Sequence, residues 1–194
     1  MSSGAVAGPD GRLRCPWGVS TEGYLAYHDT EWGRPIRDDD AIFERLILEA
    51  FQSGLSWLTI LRKRDNFRAA FAGFEIESVA RFTATDRDRL LADAGIVRNA
   101  AKIDAALANA RVAADLEGGL ATLVWSFQPA PRPAPVTAGE VPAQAPESIA
   151  LAKDLKRRGF RFVGPTTAYA LMQAAGLVND HLADCWAREG SRRP

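Results

Sequence analysis

Apolar residues recur at helical spacing along most of the chain. The clearest example begins after three aspartates at positions 38–40, where one face is formed by Ile42, Phe43, Leu46, Ile47, Ala50 and Phe51. Spacings of three and four residues place these side chains on one side of an α-helix, and aspartates are suitable N-terminal caps. The pattern therefore predicts a helix from about residue 41 whose apolar face is buried in a core.

Similar patterns predict further helices, most of them ended by glycine. They cover residues 57–61 and beyond, 86–94, 101–114, a segment from Ser148, as its cap, to residue 158, and a segment from Pro165 towards Gly176. Evidence for strands is poor throughout, and a short apolar segment at 122–127 stays unassigned. We therefore expect an all-α fold.

The domain organisation follows from the segments that do not fit a helix. Residues 1–14 are predicted to be a flexible leader, and residues 15–194 a single α-helical domain of two packed lobes. Six prolines at positions 129, 131, 133, 135, 142 and 146 are too many for a helix or a central strand. Residues 129–146 are thus predicted to form an extended surface loop that joins the lobes.

Aromatic and acidic residues suggest a lined cavity. Trp17, Tyr27 and Trp32 lie close together in the sequence among polar residues. Each aromatic residue could instead simply fill the core. Glu49 lies at the edge of the buried helical face, so its carboxylate needs a partner: either a nearby arginine or a ligand.

The segment from Lys156 to Thr167 predicts a helix, a tight turn and a second helix. Three basic residues precede Gly159, a common left-handed cap, and Gly164 and Pro165 open the next helix. The free amides of a helix start can bind an anion, so this hairpin could hold a nucleic-acid backbone. An ordinary hairpin within a helical core is the alternative.

All cysteines and histidines of the chain are Cys15, His28, His181 and Cys185. Such a set can bind Zn²⁺ tetrahedrally in a closed structural site that joins the N- and C-terminal segments. If the last segment is helical, His181 and Cys185 share one face. A core cysteine or a stray histidine is the alternative at each position, and four protein ligands argue against a catalytic metal.

Composition adds two constraints. The formal net charge is zero, but residues 1–50 carry 5 basic and 9 acidic side chains, whereas residues 151–194 carry 8 and 4. This gradient permits a basic face near the hairpin. The first ten residues do not resemble a secretory signal and no run is long enough to cross a membrane, so we expect a cytoplasmic protein without a membrane partner.

With these features together, the chain resembles the DNA-3-methyladenine glycosylase I family of the helix-hairpin-helix DNA glycosylase superfamily. The resemblance runs from about Cys15 to Cys185. The motifs that carry it are CPW, AYHDTEWG, LEAFQSGLSWLTIL, DAGIVRNAAKI, VWSF and LKRRGFRFVGPTTAYALMQAAGLVNDH. It implies a monomeric, monofunctional enzyme that flips 3-methyladenine out of alkylated double-stranded DNA and hydrolyses its N-glycosidic bond.

The resemblance also implies roles for particular residues. Glu49 and Tyr27 would bind the excised base as catalytic residues, and Trp57 would stack on it beside Trp17 and Trp32. The DNA-binding residues would be Gly54 and Leu55 in a loop that enters the base stack, and Val163, Gly164, Thr166 and Thr167 in the hairpin. The four cysteines and histidines would hold a structural Zn²⁺.

Two other functions remain to be weighed. Relatives that cleave the DNA strand carry a lysine where this chain has Thr166, which argues against a lyase. Asp180 is near the position of a catalytic aspartate used elsewhere in the superfamily, but it adjoins His181. The main alternative is a zinc-stapled DNA-binding protein without catalytic activity; the joint presence of Glu49, Tyr27 and Trp57 favours the enzyme.

Overall fold

The computed structural model describes residues 4–190, most of which are helical. The α-helices are α1 (Glu22–Thr30), α2 (Asp39–Gln52), α3 (Trp57–Ala70), α4 (Ile76–Ala80), α5 (Ala84–Ala92), α6 (Ala100–Ala114), α7 (Leu120–Trp125), α8 (Pro146–Arg158), α9 (Pro165–Ala174) and α10 (Ala187–Gly190). Short 3-10 helices cover Pro16–Val19, Ala72–Phe74 and Ala138–Glu140. Strands β1 (Val6–Ala7) and β2 (Leu13–Arg14) pair antiparallel. The predicted all-α fold is confirmed in that the chain is mostly helical, and the structure adds one small two-stranded sheet.

The three aspartates at the start of α2 bond the first amides of three different helices. Asp38 accepts a hydrogen bond from the Ala41 amide at 2.9 Å and so caps α2. Asp40 accepts from the first amide of α4, that of Ile76, at 2.8 Å. Asp39 accepts from the Ala121 amide in α7 at 2.6 Å. Since the first amides of a helix have no partner within it, this acidic run fixes where α4 and α7 begin relative to α2.

Helix α2 lies at the centre of the molecule. It packs against α3, α6, α7 and α9, while α4 packs on α6 and α8 on α9. The predicted face from Ile42 to Phe51 is buried. One contiguous apolar core extends from Ile42 to Val178, and a smaller cluster surrounds Cys15, Leu182 and Cys185. Among the described residues, no helix is both long and apolar enough to span a membrane.

The hairpin between α8 and α9 has the predicted glycine geometry. Gly159 adopts the left-handed conformation with φ 105°, and Pro165 is the first residue of α9. Asn109 of α6 supports the turn, because its side chain accepts from the Arg161 amide at 2.7 Å and donates to the Arg161 carbonyl at 3.0 Å. Ser148 differs from its expected role as the cap. It lies inside α8, where its hydroxyl bonds both backbone groups of Ala145 at 2.9 Å.

Three further segments differ from the sequence predictions. Residues 122–127, which were unassigned, lie largely within α7. His181 to Cys185 forms turns and not a helix. In the predicted flexible leader, residues 6–14 contain the β1–β2 pair, and residues 1–3 lie outside the described part. Arg14 anchors this pair, because its buried guanidinium donates to Asp10 and to Asp29 of α1.

Candidate functional site

Four aromatic side chains from separate segments line one cavity of about 600 Å³. Trp17 comes from the first 3-10 helix, Tyr27 from α1, Trp32 from the turn after α1, and Trp57 from the start of α3. The ring centroids of Trp17 and Trp32 lie 5.0 Å apart at 79°, and those of Tyr27 and Trp57 lie 5.4 Å apart. Such edge and tilted contacts are favourable for aromatic pairs. The predicted aromatic residues thus form walls of a cavity instead of only filling the core.

Glu49 lies in the wall of the same cavity and has no partner. Its residue is 7% exposed, and no hydrogen bond or ion pair links it to any other residue among positions 4–190. Burial raises the pKa of Glu49 to about 8, although the positive charge of Arg45 acts in the opposite direction. The Glu49 carboxylate is therefore not paired with an arginine of the described chain and is available to bind a ligand.

The neighbouring arginines pair with a different carboxylate. Glu31, after the end of α1, accepts from Arg45 Nη2 at 2.7 Å and from Arg64 Nη1 and Nη2 at 2.6 and 2.9 Å. Burial alone would raise the pKa of Glu31, but the hydrogen bonds from Arg64 and Arg45 keep it below its usual range. Glu31 is thus a charged group that joins α1, α2 and α3 beside the cavity.

The turn between α2 and α3 presents its tip to solvent. Gly54 adopts φ 79°, a conformation that favours glycine, and Leu55 is 42% exposed. Ser56 caps α3 by accepting from the Thr59 amide at 3.2 Å. On the other side, Lys102 of α6 donates to the carbonyls of Phe51 and Ser53 at 2.8 and 2.6 Å. The turn is therefore held firmly at both ends while its apolar tip remains available.

The hairpin also presents groups that suit phosphate. The first amides of α9 with no helical acceptor belong to Thr166 and Thr167, because Pro165 has none. Val163 is completely buried, so only its backbone is available to a ligand. Arg157 and Arg158 both pair with Asp154, whereas Lys156 and Arg161 are exposed. The hairpin thus combines free amides with cations, which suits recognition of a nucleic-acid backbone.

The four predicted metal ligands converge beside the aromatic wall. Their ligand atoms all lie within 4.8 Å of one another, and all four residues are buried. Cys185 Sγ is 3.5 Å from both His28 Nε2 and His181 Nδ1, and Cys15 Sγ is 3.8 Å from His181 Nδ1. Ligands around a tetrahedral zinc, with bonds of about 2.0–2.3 Å, stand roughly 3.3–3.8 Å apart. The cluster can therefore hold a metal ion of that size.

Neighbouring groups orient both imidazoles. His28 Nδ1 lies 2.8 Å from Asp29 Oδ1, and His181 Nε2 lies 3.1 Å from the Trp32 carbonyl. Such partners direct the opposite ring nitrogen towards a metal. A hydrogen bond from Cys15, with further ones from His181 and His28, lowers the pKa of Cys185, whereas the contact with Cys185 and burial raise the pKa of Cys15.

Several residues near the cavity were not identified from the sequence. Glu31, Arg45 and Arg64 meet across 14 and 33 positions, so no local pattern reveals them, although Glu31 lies inside the AYHDTEWG motif. Tyr24, Gln52 and Gln173 also line the cavity. Asp180, which the sequence indicated only as a possible catalytic aspartate, lines the cavity as well and accepts from Tyr169 at 2.6 Å and Gln173 at 2.9 Å.

Comparison with known proteins agrees with these features. The sequence profile of the methyladenine glycosylase family matches residues 17–189. DNA-3-methyladenine glycosylase 1 of Escherichia coli (strain K12) is 45% identical over 185 residues, which are 92% of this chain and 98% of the relative. DNA-3-methyladenine glycosylase of Haemophilus influenzae is 42% identical over 178 residues, or 89% and 96% of the two chains.

Solved structures give the same result. A crystal structure of 3-methyladenine DNA glycosylase I superposes with a TM-score of 0.85 at 44% identity and covers 89% of this chain and 98% of that one. The structure that describes 3-methyladenine recognition by the Staphylococcus aureus enzyme has a TM-score of 0.85 at 37% identity, with coverages of 90% and 95%. This chain belongs to the methyladenine glycosylase family.

Proposed function

We propose that this chain is a monofunctional DNA glycosylase that flips 3-methyladenine out of alkylated double-stranded DNA and hydrolyses the bond between base and deoxyribose. The observation that carries this proposal is Glu49, a buried carboxylate without a partner in an aromatic cavity. A protein that only binds DNA has no need of such a group. The named relatives, which are DNA-3-methyladenine glycosylases, support the same activity.

The chemistry of the damaged base suits this cavity. N3-methyladenine in DNA carries positive charge, so its glycosidic bond is already weak and strong acid catalysis is unnecessary. Recognition then requires a stacking surface and a negative partner. Trp57 supplies the surface, while Tyr27 and Glu49 lie beside it. Because a low dielectric strengthens charge interactions, Glu49 favours the cationic base over normal adenine, and a cation in the cavity also favours the ionised form of Glu49.

Extrusion of the base requires contacts on both sides of the flipped nucleotide. The exposed side chain of Leu55, next to the left-handed Gly54, is proposed to insert into the base stack and fill the space that the flipped base leaves. The amides of Thr166 and Thr167 then bind the DNA backbone together with neighbouring cations. The role of Gly164 is to let the phosphate approach closely, since nothing lies within 4 Å of a Cβ at that position.

The enzyme is expected to hydrolyse the N-glycosidic bond without cleaving the DNA strand. A lyase uses an amine to form a Schiff base with the sugar. The hairpin has Thr166 in place of that lysine, and no lysine occurs among the described residues of the cavity wall. Water is thus the proposed nucleophile.

The cluster of Cys15, His28, His181 and Cys185 is proposed to hold a structural Zn²⁺ that joins the two ends of the chain. Two thiolates and two imidazoles form a typical donor set for this ion, and four protein ligands complete its tetrahedral shell. When bound, the ion supplies stability and not a reactive water. It also supports the aromatic wall, because Trp32 bonds His181 through its carbonyl.

The proposal is tested by incubating the protein with methylated DNA and separating the released bases by chromatography. We expect 3-methyladenine to appear, and the DNA to be cut only after alkali treatment. A Glu49→Gln variant is expected to release far less base while it still binds undamaged duplex. Binding without any released base would instead support the non-catalytic alternative, and cleavage without alkali would indicate a lyase.

A further inference from the structure

Arg45 and Glu49 are one helical turn apart on α2, a spacing that normally brings opposite charges together. Both residues are buried, and the charge of Arg45 reaches Glu49. Their side chains nevertheless form no ion pair in the described part of the chain. This arrangement is unusual because a buried arginine and a buried carboxylate each need a partner.

Glu31 explains where Arg45 is directed. It accepts from Arg45 Nη2 at 2.7 Å, while Arg64 of α3 holds both of its oxygens at 2.6 and 2.9 Å. The two-point contact with Arg64 fixes the orientation of the carboxylate. Arg45 is therefore drawn to a fixed anion outside α2, and its other terminal nitrogen, Nη1, is buried without a hydrogen-bond partner among residues 4–190.

An incompletely paired guanidinium close to a free carboxylate implies a competing arrangement. If the Glu31 anion were absent, Arg45 would gain a partner by turning towards Glu49, which lies four residues further on. Glu49 would then be neutralised by a charge of the protein itself. A cationic ligand would have to displace that arginine, so the cavity would lose its preference for positive charge.

We propose that Glu31 is a positioning residue that determines charge selectivity. By binding Arg45, Glu31 holds this arginine away from Glu49 and so keeps the Glu49 carboxylate free for a cationic purine. The inference deepens the proposed function and rests on it, because it assumes that Glu49 meets the charged base. The Arg45 guanidinium also lies 5.7 Å from the centre of the Tyr27 ring, which is a second favourable contact on the side of Glu31. Arg64 contributes indirectly, because its two hydrogen bonds fix the orientation of the Glu31 carboxylate.

The test compares a permanently cationic purine, 3,9-dimethyladeninium, with neutral 3-methyladenine, each titrated against tryptophan fluorescence. The measured quantity is the ratio of the two affinities, because a general loosening of the cavity weakens both ligands together. Glu31→Gln should lower this ratio by about tenfold, the effect of one lost charge interaction of about 1.4 kcal/mol. Glu31→Gln combined with Arg45→Met should restore the ratio, since no arginine then competes for Glu49.

Glu44→Gln is the matched control. Glu44 lies in α2 and, like Glu31, pairs with an arginine of α3, in this case Arg68 at 2.8 Å. It does not pair with Arg45, so the ratio should not change. Glu31→Asp keeps the charge with a shorter reach and should lower the ratio by a smaller factor. This milder variant provides the test if Glu31→Gln does not fold.

The outcomes separate this inference from the proposed function. An unchanged ratio in both Glu31 variants would overturn it, as would a double variant no better than Glu31→Gln alone. Equal binding of both purines by the unaltered protein would overturn it as well. Failure of the unaltered protein to release 3-methyladenine from methylated DNA, with the cation still preferred, would instead contradict the proposed function and leave the charge device supported.

Discussion

At the scale of single residues, Trp57 is the proposed stacking surface for the flipped base. Stacking of a base on an aromatic ring is worth roughly 1–3 kcal/mol, which corresponds to about 5- to 150-fold in affinity. Trp57→Ala should therefore weaken binding of free 3-methyladenine within this range, as measured by isothermal titration calorimetry. Trp186→Ala is the control, because Trp186 is exposed and packs with Arg12 away from the cavity wall. Equal affinity in the two variants would exclude Trp57 from the binding surface.

Glu49 gives a prediction about stability and pH. Its pKa is about 8 in the folded protein and 4.5 for the free side chain, so the folded state binds the proton more tightly. The protein then loses stability as pH rises from about 4.5 to 8, and Glu49→Gln removes that loss. The difference in free energy of unfolding between the variant and the unaltered protein should therefore increase by roughly 3–5 kcal/mol, in favour of the variant, as pH rises from 5 to 8.

Urea unfolding at several pH values would measure this difference. Glu44→Gln, which removes a carboxylate paired with Arg68, should show no such gain as pH rises. If the stability difference between Glu49→Gln and the unaltered protein stayed flat from pH 5 to 8, the carboxylate would not be held in its neutral form.

At the scale of elements, Lys102 links α6 to the end of α2. Its ammonium group holds the carbonyls of Phe51 and Ser53 just before the turn that carries Gly54 and Leu55. Since each of these two bonds from a charged group contributes about 1.5–3 kcal/mol, Lys102→Met should lower the free energy of unfolding by about 3–6 kcal/mol. Excision from DNA should fall more than affinity for the free base, because the turn and not the cavity loses its support.

Lys63→Met is the matched control for this measurement. Lys63 also donates to two carbonyls, those of Ala94 and Gly95, both at 3.1 Å, but these bonds lie closer to solvent. Its loss should cost less than about 1 kcal/mol. Equal effects of the two substitutions in chemical denaturation would show that Lys102 has no special role at the turn.

The α8–α9 hairpin predicts the salt dependence of DNA binding. Each phosphate neutralised contributes a slope of roughly −0.9 to the logarithmic plot of affinity against salt. Binding of undamaged duplex should therefore weaken steeply with salt, and Arg161→Met should make the slope shallower by about one such contact. Fluorescence anisotropy at several salt concentrations would measure it. A slope near zero in the unaltered protein would contradict electrostatic docking at this hairpin.

Sequence patterns were sufficient for some elements and not for others. The long faces of α2 and α6 and the glycine and proline signals at Gly159 and Pro165 are local, so they could be predicted. Helix α7 is only six residues long, and its start depends on Asp39, which is distant in sequence. The turns at 181–185 likewise follow from packing near Cys15 and Arg188 and not from a helical period.

The candidate site divides in the same way. Residue type and number alone indicated the four proposed metal ligands, because no other cysteine or histidine exists in the sequence. The family motifs indicated Glu49 and the aromatic residues. Neither source indicated that Glu31 would form ion pairs with Arg45 of α2 and Arg64 of α3. Such pairings depend on how helices are placed against each other, which short-range patterns do not encode.

At the scale of the whole molecule, the cluster of Cys15, His28, His181 and Cys185, which is proposed to hold Zn²⁺, brings together the two ends of the described chain. Zinc binding is coupled to folding, so Cys185→Ser should reduce the zinc content towards zero and destabilise the protein. A loss of about 3 kcal/mol would lower the Tm by roughly 6–12 °C for a chain of this size. The fraction that stays folded should still prefer 3-methyladenine.

Atomic absorption, thermal melts and base release measured together would test this prediction. Asp184→Ala is the control, since Asp184 is exposed beside Cys185 and is not among the four clustered residues. Full zinc occupancy in Cys185→Ser would contradict the ligand assignment. Loss of base release at unchanged stability would instead indicate a metal that takes part in the reaction.

The separation of the four ligands along the chain also affects how the protein is made. Cys15 and His181 are 166 positions apart, so at 5–20 residues per second the ribosome needs roughly 8–33 s to supply the second half of the site. Throughout that interval the Cys15 thiol lacks its final neighbours and is open to oxidants and to competing metals. If the cluster holds the proposed Zn²⁺, the yield of zinc-loaded protein should therefore depend on the speed of translation and on the redox state of the cell during synthesis, even though the finished cluster is buried.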